Sequence, residues 1–176
     1  MWKKVSKKTL LEHPRITVCE DIVELPNGEK TDYLYFEGDN GASTIIVINE
    51  YNKILLQKEY SYPPNEILYQ FPGGGINTNE APIDAAKREL SEEANLSGEI
   101  EEIGWFYTDN RRKKSKMHVF VATRLTGSPG KLDAEEVLED FWLTETEIDE
   151  LISSQQLVIY SALSAWAIYK NYLLKK

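Results

Sequence analysis

Three consecutive glycines, Gly73 to Gly75, stand between a short apolar run and a stretch in which charge and hydrocarbon alternate with helical spacing. Such a triplet does not continue regular structure, because glycine loses more backbone freedom on folding than any other residue. It marks a junction between a strand ending at Phe71 and a helix that tolerates Pro82 in its first turn. At about 100° per residue, Ile83, Ala86, Leu90 and Ala94 share one arc of that helix, and Glu89, Glu92 and Glu93 share another. Like charges at this spacing repel and weaken a helix. A hard divalent cation offsets the repulsion, since Mg²⁺ is held by a few carboxylates together with substrate phosphates. Acidic helix faces are also commonly just solvated, and this chain has 29 acidic residues. Charge alone leaves both readings open.

Spacing separates them. From Gly74 the chain reads G-x5-E-x7-R-E-L-x-E-E-x-N-L, through Glu80, Arg88, Glu89, Leu90, Glu92, Glu93, Asn95 and Leu96. This resembles the box of the Nudix hydrolases, G-x5-E-x7-R-E-U-x-E-E-x-G-U, where U is a bulky aliphatic residue. Asn95 alone departs, standing where the family has glycine. A residue that closes a helix often needs positive φ, and asparagine tolerates it better than other side chains.

The resemblance implies a Nudix pyrophosphohydrolase on an α/β (α+β) fold, an α-β-α sandwich with a mixed sheet. In the ADP-ribose pyrophosphatase branch an N-terminal β-hairpin precedes the core and joins a dimer interface. Residues 1–40 are accordingly expected to form such an extension, residues 41–176 the Nudix domain, and the protein a homodimer.

Roles follow from the same resemblance. Glu89 and Glu93 would be the main metal ligands, Glu92 would assist directly or through water, and the Gly73 carbonyl would be a further ligand. Arg88, four residues before Glu92, would orient it by a charge-assisted hydrogen bond. Glu80 would steady the loop and helix. The cofactor implied is Mg²⁺, with Mn²⁺ as a substitute. The general base of this branch comes from an acidic loop downstream, for which Asp133-Ala134-Glu135-Glu136-Val137-Leu138-Glu139 is the candidate. Glu136 is favoured, with Glu135 and Glu139 behind it; an ordinary solvated acidic turn is the other reading.

Substrate choice is less constrained. Lys58-Glu59-Tyr60-Ser61-Tyr62-Pro63 resembles the R-Q-Y-R-Y-P strand of ADP-ribose pyrophosphatases, with Ser61 replacing an arginine. Gln70 stands for the glutamate of that branch's E-L-P-A-G, and Arg111 and Arg112 lie where it has a marker proline. Lys58, Gln70 and Arg112 are the candidate substrate-binding residues. The expected substrate is a small nucleotide, ADP-ribose or an ADP-sugar. The alternatives are dinucleoside polyphosphates, nucleoside triphosphates, or a Nudix-fold sensor that binds nucleotide without turnover. The basic run from Arg111 to Lys116 reads as a solvated loop or as a grip for an anionic substrate. Tyr69, Phe71, Trp105 and Tyr107 are core residues or base-stacking ones, His118 in its apolar strand reads as structural, and His13 is isolated.

Composition bounds the rest. With 176 residues, 41% hydrophobic and 28% charged, the chain suits one soluble domain with a sizeable core. Its net charge of -9 argues against a stable nucleic-acid partner, yet not against a nucleotide enzyme whose bound cation inverts the local field. A lone cysteine, Cys19, excludes an intramolecular disulfide and suits the cytoplasm. Neither a leader-like apolar region nor a run of the roughly 20 apolar residues needed to cross a bilayer is expected.

Along the chain, strands are predicted at Arg15–Glu24 and Lys30–Phe36 about the turn Pro26-Asn27-Gly28. A second hairpin joins Ser43–Asn49 to Lys53–Tyr60, and a strand at Leu68–Phe71 leads into the glycines. The helix runs from Asn79 to Ala94, followed by strands at 99–108, 117–125 and 137–143. A helix follows the capping signature Thr144-x-x-Glu147, and another spans Ser161–Leu174.

Overall fold

A computed structural model describes residues 1–38, 40–127 and 137–176, with side chains left out at 137 and 138. The chain divides into two compact units, Met1–Gly41 with Tyr107–Lys116, and Ala42–Phe106 with Met117–Lys176.

The first unit is built on an antiparallel sheet of β1 (Lys3–His13), β2 (Ile16–Glu24) and β3 (Lys30–Glu37), in that order. β2 and β3 form the hairpin expected about Pro26-Asn27-Gly28, where Gly28 takes φ 86°. The extension is more than a hairpin, because β1 adds a third strand. No one-sided apolar pattern marks that strand, since every residue of β1 is exposed. It is held by its ladder to β2 and by ion pairs of Lys4 with Asp21, at 2.8 Å, and of Lys7 with Glu37. Cys19 is a fully buried free thiol on β2. The 107–116 segment is fastened to β3: the Phe36 amide donates to the Arg112 carbonyl at 2.7 Å, and the Tyr33 hydroxyl to the Arg111 carbonyl.

In the second unit, β4 (Ala42–Val47) pairs in parallel with β8 (Lys116–Gly127), which lies beside β7 (Leu96–Tyr107). β5 (Ile54–Ser61) lies between β6 (Glu66–Gln70) and β9 (Val137–Leu143), antiparallel to both. The expected second hairpin is therefore not formed. Asn49 and Lys53 close a turn, and one bridge joins Ile48 to Ile54, but β4 and β5 then enter different sheets. Residues 45–47 of β4 and 54–56 of β5 are apolar and buried on both faces, so each stretch needs layers on either side, which a two-stranded hairpin does not supply.

Alternation assigns those layers. Ile46, Ile54, Leu56, Val119 and Val121 pack with α2 (Glu145–Ser153) and α3 (Tyr160–Leu173), around Ile148, Ala165 and Trp166. Ile45, Val47, Leu55, Phe120 and Ala122 point the other way, onto Ala86, Leu90 and Ala94 of α1 (Pro82–Ala94). Each fully buried Leu, Ile or Phe contributes about 1.5–3 kcal/mol over exposure. The result is the α-β-α arrangement with mixed strand directions. α1 starts three residues later than the acidic pattern suggests, because Asn79 sits at φ 65° and Pro82 takes the first helical turn. Ile83 leaves the apolar arc and is exposed, and Ala85 is buried instead. No helix among the described residues is long and apolar enough to cross a membrane.

Candidate active site

The glycine turn is stitched to the start of β4. Ser43 N donates to the Gly74 carbonyl at 2.9 Å, and Ile45 N to the Pro72 carbonyl at 2.8 Å. Gly73 takes φ 150°, and a Cβ there would lie 2.2 Å from the Ser43 carbonyl oxygen. Gly74 has a different constraint: a Cβ on it would lie 2.3 Å from Glu89 Oε1. The glycine at the head of the motif is thus the floor on which one of its carboxylates rests.

α1 delivers that carboxylate. It has no side-chain cap at its start, and it ends on Asn95 in the left-handed region at φ 51°, ψ 36°. The Asn95 amide closes the last turn onto the Leu90 and Ser91 carbonyls. Leu90 and Ala94 anchor the buried face, while Arg88 organises the opposite one. Its guanidinium donates from Nε to Glu80 Oε1 at 2.9 Å and from Nη2 to Glu80 Oε2 at 3.1 Å. Nη1 reaches Glu89 Oε1 at 2.8 Å and Glu92 Oε2 at 3.0 Å, and Nη2 also reaches the Gly75 carbonyl at 2.9 Å. These bonds lock the guanidinium in its charged form, with Glu80 the largest influence. Glu80 in turn accepts from Asn77 N at 2.8 Å, so it holds loop and helix together.

The three candidate ligand carboxylates of α1, Glu89, Glu92 and Glu93, differ in setting. Glu89 is the buried one, and burial pushes its proton affinity up against the opposing pull of Arg88. Glu93 accepts from Gly73 N through Oε2 at 2.8 Å. Glu92 is exposed, its side chain 58% accessible, and tied to Arg88. Among the described residues no three His, Cys, Asp or Glu side chains converge as a ready cation cage. The donors present nevertheless fit Mg²⁺: Glu89, Glu93 and the Gly73 carbonyl are hard oxygens, and this ion is usually bound by one or two carboxylates with substrate phosphates completing its shell. The desolvated Glu89 favours such a partner, because neutralising it removes the cost of burying its charge.

Arg88, Glu89, Glu92, Glu93 and Gly73 are therefore gathered in one place. The substrate candidates come from three segments, Lys58 from β5, Gln70 from β6 and Arg112 from residues 107–116. Lys58, on β5, lays its ammonium 4.9 Å from the Tyr69 ring centre and 5.0 Å from that of Phe141. Gln70 faces Gln57 across the β5–β6 ladder. Arg112 belongs to the first unit, with its guanidinium 5.7 Å from the Tyr33 ring centre and Nη1 donating to the Leu34 carbonyl at 2.9 Å. It lines a cavity of about 570 Å³ with Tyr33, Tyr35, Tyr107 and Arg111. Phe71 is core, stacked on Trp166, and Tyr69 packs edge-on to Phe141. Trp105 and Tyr107 are exposed. His118 pairs with Glu102 at 2.7 Å, and His13 accepts from Arg15 N. Glu135 and Glu136 lie outside the described residues; Glu139 is on β9, opposite Lys58.

Two residues carry more of the site than their sequence context suggested. Ser43 is buried and gives its backbone to the glycine turn. Gln57 is fully buried and reaches the Glu93 carbonyl at 3.2 Å. The signal for Gln57 was present, as a lone amide ending the apolar run Ile54-Leu55-Leu56.

Comparison with known proteins gives the family and the fold. The NUDIX domain family matches residues 39–163, and the nucleoside diphosphate sugar hydrolase N-terminal domain matches residues 2–35. The ADP-ribose pyrophosphatase of Bacillus subtilis (strain 168) is 28% identical over 169 residues, covering 94% of this chain and 90% of that protein. The methanol dehydrogenase activator of Bacillus methanolicus is 30% identical over 142 residues, covering 78% of this chain and 75% of that protein. A crystal structure of an ADP compounds hydrolase superposes with a TM-score of 0.89 at 22% identity, over 99% of this chain and 95% of that one, a likeness of fold. A glycine turn supporting a carboxylate-bearing helix, at the family's spacing and inside the family's fold, places this chain in the Nudix family as a pyrophosphohydrolase.

Proposed function

We infer that the protein hydrolyses the diphosphate linkage of a nucleoside diphosphate derivative, ADP-ribose or an ADP-sugar, with Mg²⁺ as cofactor and Mn²⁺ as a substitute. The observation that carries this reading is the packing of Glu89 against Gly74 beside a Glu93 carboxylate bound to Gly73 N. It gives two oxygen donors a fixed backbone reference, as positioning catalysis requires. The match of residues 2–35 to a nucleoside diphosphate sugar hydrolase domain supports the substrate class, as does similarity to an ADP-ribose pyrophosphatase.

In this scheme Glu89, Glu93 and the Gly73 carbonyl hold the ion, with Glu92 assisting. Bound there, Mg²⁺ supplies charge neutralisation at the phosphates and a water of lowered pKa. Arg88 orients the carboxylates, bridging Glu89 and Glu92 from a single Nη1 and holding Glu80 through Nε. Glu136 accepts the proton of the attacking water. Lys58, Gln70 and Arg112 bind the anionic and polar parts of the substrate. The first unit supplies a homodimer contact through its exposed apolar side chains Val5, Leu10 and Leu11. A cytoplasmic location suits a free thiol such as Cys19.

The test is phosphate release, after phosphatase coupling, across ADP-ribose, nucleotide sugars, dinucleoside polyphosphates and triphosphates with Mg²⁺. Preference for ADP-ribose or an ADP-sugar is expected, and Glu93→Gln should abolish turnover while the fold persists. Preference for polyphosphates or triphosphates would overturn the substrate class. Binding without turnover across the panel would make the protein a nucleotide sensor.

A further inference from the structure

Ile54, Leu55 and Leu56 of β5 are apolar and fully buried, and the next residue, Gln57, is equally buried but carries an amide. Strand alternation puts it on the face of Leu55, which packs toward α1. Its Nε2 donates to the Glu93 carbonyl at 3.2 Å and to Asp140 Oδ1 at 3.0 Å. Both partners are acceptors, so the network itself sets the orientation of the amide. Its Oε1 is buried and has no hydrogen-bond donor among the described residues. For packing alone, another leucine would suit this position better, because it would bury no polar atom without a partner.

What the amide holds explains its presence. Glu93 sits in the last turn of α1, whose carbonyls are the ones that look beyond a helix for a donor. Glu93 is thus fixed twice, by Gly73 N at its carboxylate and by Gln57 at its backbone. Through Asp140 the same amide ties this last turn to β9, and β5 itself lies between β9 and β6. We propose that Gln57 is a positioning residue, which anchors the last turn of α1 to β9 and so sets where the Glu93 carboxylate meets a divalent cation. The proposal rests on the reading of Glu93 as a metal ligand.

The experiment is titration of the full-length protein with Mn²⁺ alone, followed by calorimetry or the free-ion electron spin resonance signal, for wild type, Gln57→Met, Gln57→Leu and Glu93→Gln. Thermal melts and the split between kcat and KM accompany it. Both Gln57 variants should bind Mn²⁺ about tenfold more weakly, the low end for loss of a residue supporting a ligand. KM at saturating metal should stay within about twofold, kcat should recover as metal is raised, and the melting midpoint should hold or rise. Unchanged Mn²⁺ affinity in a folded Gln57 variant overturns the proposal, and so does failure of both variants to fold, which would mark a purely structural amide. If Glu93→Gln weakens Mn²⁺ binding and the Gln57 variants do not, only the role of Gln57 falls. If Glu93→Gln binds as wild type does, the metal reading of Glu93 falls and the proposal with it.

Discussion

At Gly74 the space that a methyl group needs is already taken by the carboxylate of Glu89. Gly74→Ala should therefore displace that carboxylate, because the backbone beneath it is tied to β4 through Ser43. A displacement near 1 Å costs about a hundredfold in rate, so kcat should fall by about that factor while substrate KM changes little; an alanine variant of normal kcat would refute the contact. Glu89 itself makes a second prediction. Its folded pKa is raised by burial, so the folded state holds its proton more tightly than the unfolded chain does. Stability then falls as pH rises from the ordinary glutamate value of 4.5 through the raised folded value, and the deficit persists at neutral pH. Without metal, Glu89→Gln should melt about 1–3 °C above wild type at pH 7, with the gap closing toward pH 4. Equal midpoints at pH 7 in the presence of a chelator would contradict this. The residue types of the site were legible in the sequence, because eight positions obey one spacing. The contact of Gly74 with Glu89 was not, since it joins positions fifteen apart through a turn whose path only the fold sets.

Among the elements, α2 shows how far local sequence reaches. Thr144-x-x-Glu147 predicted a capping box, and the structure has both halves. Thr144 Oγ1 accepts from Glu147 N at 3.2 Å, and Glu147 Oε2 accepts from Thr144 N at 2.7 Å. The backbone bond from Thr144, then the one from its side chain, holds Glu147 below its ordinary value. Its contribution is fully present above 4.5 and is lost as pH falls through the lowered folded value. Thr144→Ala should lower the melting midpoint by about 2–4 °C at pH 7. Below pH 4 or so the difference from wild type should shrink; a gap independent of pH would assign the loss to packing alone. Elements defined by contacts distant in sequence were less legible. β1 shows no burial to detect, and the separation of β4 from β5 depends on β8 and β9, whose pairing neither strand encodes.

For the whole molecule, the surface of the first unit bears on assembly. The first unit exposes Val5, Leu10, Leu11, Ile16 and Leu34, each at least 40% accessible. Apolar side chains grouped on one sheet favour association, and β1 is an edge strand with backbone groups left to pair. Light scattering should give twice the chain mass of 20.2 kDa, and Leu11→Lys should shift the protein toward monomer; a monomeric wild type would exclude the dimer.

The sequence by itself determined the chemistry that α1 can carry and the family it belongs to, because helical periodicity, a glycine turn and a capping box act within one or two turns of chain. Only the tertiary structure decided which atoms face each other. Glu89 rests on Gly74, Arg88 clasps Glu80, and Gln57 reaches from a strand to the end of a helix. Such contacts depend on the packing of β4, β5 and α1 around a shared core, and no local pattern carries the distance between two elements.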